Sequence, residues 1–147
     1  MKKIAFLLLG TLLSGIALAD ICPTSGQLTF DPSDSKLKYK DTQKGITWVS
    51  DNKVDADTSG TLQKTYIVNI EDTRLSCSYS ADWKGYINVR PYSSEDIKNN
   101  PFSDPADKGY ISDSSQEWGR VVTPDHTVER CYAIIDGHTC GFNSPAN

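Results

Sequence analysis

Apolar positions recur at every second residue through the middle of the chain. Tyr66, Val68 and Ile70 alternate with polar neighbours over residues 65–71, and Leu75, Cys77 and Tyr79 do so over residues 74–79. Over residues 85–90, Ile87 and Val89 share one face while Tyr86, Asn88 and Arg90 share the other. A period of two marks strands with one covered and one wet face. Asp72 and Thr73 leave room only for a tight connection between the first two strands. Residues 81–85 predict a second turn, with Gly85 suited to a left-handed position. Three neighbouring antiparallel strands are therefore expected in residues 65–90.

The flanks are less regular. Residues 27–30 form a short apolar stretch ended by Asp31 and Pro32, residues 37–39 alternate, and residues 45–49 are rich in strand formers. Residues 119–122 and 131–135 are further strand candidates, and residues 50–60 read as a polar, acidic loop. Ser93 followed by Glu95 and Asp96 predicts a helical turn over residues 93–98, stopped before Pro101. Residues 115–118 fit a second helical turn, and Thr123 with Pro124 fits the cap of a short helix. Between them lies a polar excursion at about residues 100–116, rich in Pro, Gly, Ser and Asp. The fold class is mainly β: an antiparallel β-sandwich or partly open barrel with one or two short helices. An α+β arrangement with a helix on one sheet face is the alternative.

The start of the chain belongs to a different category. Lys2 and Lys3 precede a mostly apolar run over residues 4–16, and Ala17, Leu18 and Ala19 fit a small-x-small cleavage site. This is the pattern of a removed secretory signal peptide, bacterial in style. The run is shorter than the roughly 20 residues of a membrane span and is broken by Gly10, Thr11, Ser14 and Gly15. Residues 1–19 are thus read as the signal and residues 20–147 as a single small β-rich domain, periplasmic or secreted. Loss of Lys2 and Lys3 takes the net charge from −4 to −6. That balance argues against nucleic-acid binding, which wants a dense basic footprint. No later apolar run reaches spanning length, and a monomer is expected.

Four cysteines follow the predicted cleavage point: Cys22, Cys77, Cys131 and Cys140. An even count in an oxidising compartment predicts two disulfides, and no C-x-x-C spacing suggests zinc or redox chemistry. Of three possible pairings, Cys22–Cys77 with Cys131–Cys140 is favoured. Cys22 needs fastening at the mature N-terminus and Cys77 lies in a strand. The first bridge would be worth about 4 kcal/mol and the second about 2.5–3 by chain entropy. The short pair carries a geometric condition. A tight hairpin turning at Asp136 and Gly137 would set Cys140 opposite Ala133, leaving the sulfurs diagonal, whereas a looser turn would not.

Candidate chemistry is sparse. Asp55, Asp57, Ser59 and Gly60 match the front half of a calcium loop, in which oxygens at alternate positions wrap a hard cation. The match fails at its twelfth position, which is Tyr66. No cofactor is expected apart from this weak calcium candidate. Tyr79, Trp83, Tyr86, Arg90 and Tyr92 cluster around one hairpin, and Trp83 sits at its turn. Aromatic rings with polar neighbours can anchor a protein or stack on a sugar. His126 and His138 lie in turns without a G-x-S-x-G elbow, and paired cysteines leave no thiol nucleophile. No catalytic residue can be named.

Three features together resemble a group of small exported bacterial proteins, the DUF3757 domain-of-unknown-function family. They are Cys22 with Pro23, the run Gly45, Ile46, Thr47, Trp48, and the run Leu75, Ser76, Cys77, Ser78, Tyr79. The resemblance covers residues 22–79. It implies a compact β-rich domain and supports the Cys22–Cys77 bridge, and it brings no catalytic residues. The expectation from sequence is an exported, disulfide-stabilised, non-enzymatic binding protein for a protein or envelope glycan. The alternatives are a secreted effector or a small carboxylate- or metal-dependent hydrolase.

Overall fold

The computed structural model describes residues 20–93, 109–113, 118–133 and 140–143. The signal segment, residues 94–98 of the helical turn expected over residues 93–98, residues 115–117 of the second expected turn, most of the polar excursion and the turn at Asp136 and Gly137 lie outside these residues.

Ten strands and one short helix are present among the described residues. In chain order they are β1 (Thr29–Asp31), β2 (Lys36–Asp41), β3 (Ile46–Ser50), α1 (Thr58–Thr61), β4 (Leu62–Glu71), β5 (Arg74–Ala81), β6 (Tyr86–Ser93), β7 (Ile111–Ser112), β8 (Gly119–Val122), β9 (Thr127–Ala133) and β10 (Phe142–Asn143). Single 3-10 turns occupy Ser25–Gln27 and Asp82–Lys84. Eight strands form one sheet in the order β1-β2-β3-β6-β5-β4-β9-β8, and β10 pairs with β7 in a second, small sheet. Every pairing is antiparallel. The large sheet is not closed into a barrel, because β1 and β8 stand at opposite edges of it. The protein is therefore mainly β, as the alternation predicts.

The central β4-β5-β6 meander matches the expected strands closely. Asp72 and Thr73 connect β4 to β5 with φ of 47° and 70°, the left-handed pair of a two-residue hairpin turn. Asp82–Lys84 and Gly85, at φ 80°, connect β5 to β6. Two elements differ from expectation. The acidic loop contains a helical turn, α1, whose buried residue is Thr58. The helix expected at Thr123 and Pro124 is instead the loop of the β8–β9 hairpin: Val122 faces Thr127, and Thr123 N–H donates to the His126 carbonyl at 2.9 Å. A strand pair that closes this early leaves the capping residues no helix to cap. As a result β9 begins at Thr127, four residues before the expected strand.

Register assigns the two faces. Val68 lies opposite both Cys77 and Cys131, and Cys77 lies opposite Val89. One face thus carries Leu37, Trp48, Val89, Cys77, Val68 and Cys131, all buried. Both expected disulfides are formed, Cys22–Cys77 and Cys131–Cys140. They tie residues 20–28 and the Cys140 segment onto this inner face. Asp20 and Phe142 exchange backbone hydrogen bonds of 2.8 and 2.9 Å. Phe142 packs edge-on against Trp48 and Tyr110 at centroid distances of 6.4 and 5.6 Å. The second layer is therefore formed by residues 20–28 with the β7–β10 sheet. Ser50, also inward and buried, accepts from Leu37 N–H at 3.0 Å and donates to the Asn52 carbonyl at 3.0 Å, so its hydroxyl is paired on both sides.

Three donors hold a carboxylate of the β1–β2 turn. Asp31 accepts from the Ser33 hydroxyl at 2.6 Å, the Ser33 N–H at 2.9 Å and Lys38 Nζ at 3.0 Å. These bonds, the Ser33 hydroxyl first, lower its carboxyl from 3.8 to about 2. A carboxyl more acidic in the folded state stabilises the fold at pH values above its ordinary value. That contribution fades as pH falls from about 4 through about 2. Asp31→Asn is therefore expected to lower Tm at neutral pH and to flatten the fall of Tm over this acid window. Thermal melts of both proteins from pH 7 down to pH 2 check this, and parallel curves would contradict it.

Candidate functional site

The residues of the outer face follow directly from the alternation; Tyr86, Asn88, Arg130 and Tyr132 are exposed, while Ser78 between them is buried. Inward Val68, Cys77 and Val89 leave Asn69, Ser78 and Asn88 pointing outward, and inward Cys131 and Ala133 leave Arg130 and Tyr132 outward. Four of these side chains form a hydrogen-bonded row across β9, β4, β5 and β6. Arg130 Nε donates to Asn69 Oδ1 at 2.9 Å, Asn69 Nδ2 donates to Ser78 Oγ at 3.1 Å, and Ser78 Oγ donates to Asn88 Oδ1 at 2.6 Å. All donors run in one direction, so each bond polarises the next. Three inter-strand spacings give the row a span of roughly 14 Å.

Exposed aromatic rings flank the row. Tyr132 is 62% exposed and lies two residues beyond Arg130 on β9. Tyr86 is 64% exposed and lies two residues before Asn88 on β6. A groove of about 710 Å³ borders the row on the β8 side. Its lining includes Trp118, Gly119, Arg120, Val121, Arg130 and Tyr132. Gly119 lies directly opposite Arg130, and a side chain there would meet the Arg130 carbonyl oxygen at 3.6 Å.

The group expected from the hairpin divides between the two faces. Tyr86, Arg90 and Tyr92 are on β6 and face outward with Asn88. Arg90 Nε contacts both Asp51 carboxylate oxygens at 3.0 Å, which ties it to the β3 end of the face. Tyr92 is half-buried opposite Thr47. Tyr79 does not join them. It is fully buried on the inner face, donates its hydroxyl to the Pro23 carbonyl and packs against Tyr66 with centroids 5.1 Å apart. The reason is its parity with Leu75 and Cys77, which places it in the core. Burial raises the phenol pKa of both Tyr66 and Tyr79. Trp83 belongs to the Asp82–Lys84 turn, and its side chain lies outside what is described.

The calcium-like loop presents its carboxylates to a lysine. Lys84 Nζ lies 2.6 Å from Asp57 Oδ1, 3.5 Å from Asp55 Oδ2 and 3.4 Å from Thr58 Oγ1. The hydrogen bond between Asp57 and Lys84 lowers the carboxyl pKa and raises that of the ammonium. Ser59 lies within α1 and is half-buried. The pair of aspartates thus holds the β5–β6 turn against α1. Among the described residues no group of three His, Cys, Asp or Glu side chains converges as metal ligands would.

Arg130, Asn69, Ser78 and Tyr132 were not singled out by the sequence reading. Their signal was the alternation itself, since the outward partners of a strongly apolar stripe form the other surface of the same strands. No family model, no curated protein and no solved structure matched this chain.

Proposed function

We propose that this chain is an exported binding protein without catalytic activity, and that the outer face of its sheet receives a glycan. The observation that carries the reading is the row from Arg130 to Asn88, flanked by exposed Tyr132 and Tyr86. Folding requires polar residues on a wet face, but it does not require large aromatic rings left mostly in water. Sugars offer what such a face can use. Their C–H faces stack on aromatic rings, and their hydroxyls pair with amides, hydroxyls and guanidinium groups. The Asn88 side-chain amide N–H groups make no hydrogen bond among the described residues, so the far end of the row still has donors to offer. Trp83, in the Asp82–Lys84 turn between β5 and β6, is included in the proposal by its place in the chain.

Export is supported by the two disulfides, which persist in oxidising compartments. No described helix is long and apolar enough to cross a membrane. The DUF3757-like character of residues 22–79 belongs to the same proposal. A protein partner is the second reading, favoured by one observation: the edge strand β8 exposes Val121 and Val122, at 62% and 65%. Such an edge can accept an added strand.

The test is binding of the protein, purified after export from a bacterial host, to soluble glycan fragments of the cell wall. Tyr86→Ala and Tyr132→Ala are each expected to weaken binding about tenfold while leaving Tm unchanged. Unaltered affinity in both variants would overturn the assignment of the face.

A further inference from the structure

We propose that the groove between β8 and β9 selects an acidic sugar, with the carboxylate of the glycan held by Arg130. This rests on the reading of the outer face as a glycan surface. The chain as a whole is acidic, with a net charge of −4. The groove runs against that balance: among the described residues lining it Arg130 brings an outward-facing cation, and none is a carboxylate. Arg120 stands opposite Glu129 on the inner face, its Nε 4.0 Å from Glu129 Oε1. Arg130 faces outward. Its Nε is occupied by Asn69 Oδ1 at 2.9 Å, which fixes the plane of the guanidinium. Its two terminal amino groups make no hydrogen bond among the described residues.

A guanidinium anchored through Nε presents a planar pair of donors, the geometry that receives a carboxylate through two parallel bonds. Tyr132 stands beside Arg130 on the same face, two residues along the strand. A ring stacked on Tyr132 would bring a carboxylate on that ring, or on its neighbour, to the guanidinium. A neutral sugar would use the ring but leave the cation without a partner.

The probe pair separates charge from stacking. One member is a tetrasaccharide of alternating N-acetylglucosamine and N-acetylmuramic acid, which carries lactyl carboxylates. The other is the tetrasaccharide of N-acetylglucosamine alone, with the same backbone and no charge. Calorimetric titration at about 0.01 M ionic strength, where the Debye length is about 30 Å, gives the charge full reach. The acidic member is expected to bind about tenfold more tightly than the neutral one. The gap is expected to close in Arg130→Gln and to be partly kept in Arg130→Lys, which retains charge without the fork. Both variants are at an exposed position, and their melting curves check that the fold is intact. Equal binding of the two probes would overturn the acidic selectivity and leave the glycan surface standing. Binding of neither would overturn both. A gap that persists in Arg130→Gln would overturn the role of this residue.

Discussion

Replacing Cys22 and Cys77 together by alanine is expected to lower the unfolding free energy by about 4 kcal/mol. The bridge joins residues separated by 55 positions, and closing so long a loop in the unfolded chain removes much of its entropy. The Cys131–Cys140 bridge closes only 9 positions and is worth about 2.5–3 kcal/mol on the same basis. Both cysteines of the long bridge sit in the core, and the bridge fixes the Cys22 segment across the inner face, where Pro23 accepts from the Tyr79 hydroxyl. A domain of this size has roughly 5–15 kcal/mol in total, so the variant should unfold at markedly lower urea. Its m-value should rise, because the unlinked unfolded chain exposes more surface. A smaller loss than in the Cys131→Ala, Cys140→Ala variant would contradict the ranking of the two bridges.

Phe142→Ala is the second large effect, expected at about 3–5 kcal/mol. Phe142 is 1% exposed although it lies close to the end of the sequence. Its ring meets Trp48 and Tyr110 edge-on, and its backbone pairs with Asp20. Truncation would open a cavity where the Asp20 segment, β3 and the β7–β10 sheet meet. Phe142→Leu should cost less, since much of the volume remains. Equilibrium unfolding of the two variants measures the difference. Near-native stability of Phe142→Ala would show that this second layer adds little to the core.

Much of this fold is legible along single strands. The alternation from Tyr66 to Arg90 gives β4, β5 and β6 and their turns, because each strand buries one face and wets the other. The cysteine count gives two bridges. What is not legible is which strands become neighbours. β3 pairs with β6 and β9 with β4, and these pairings join residues distant in sequence that no local pattern can connect. Phe142 illustrates the same limit, since its core position depends on Asp20, Trp48 and Tyr110 arriving from three other segments. The candidate site follows the same division. Tyr86 and Asn88 could be placed on the outer face from parity, and parity also puts Tyr79 inside. Arg130 and Tyr132 join that face only because β9 docks on β4. The acidic loop shows why a motif needs its surroundings: Asp55 and Asp57 match a calcium pattern, yet the cation between them is Lys84, brought from the β5–β6 turn.

The most direct test of the glycan surface is a residue-resolved one. Backbone amide shifts of the exported protein, followed by NMR during titration with cell-wall glycan fragments, report which strands meet the ligand. The expected shifts concentrate on Asn69, Ser78, Asn88, Arg130 and Tyr132, with Leu37 and Phe142 unmoved. Shifts confined to the β8 edge on addition of a protein partner, with no response to any glycan fragment, would contradict the proposed surface.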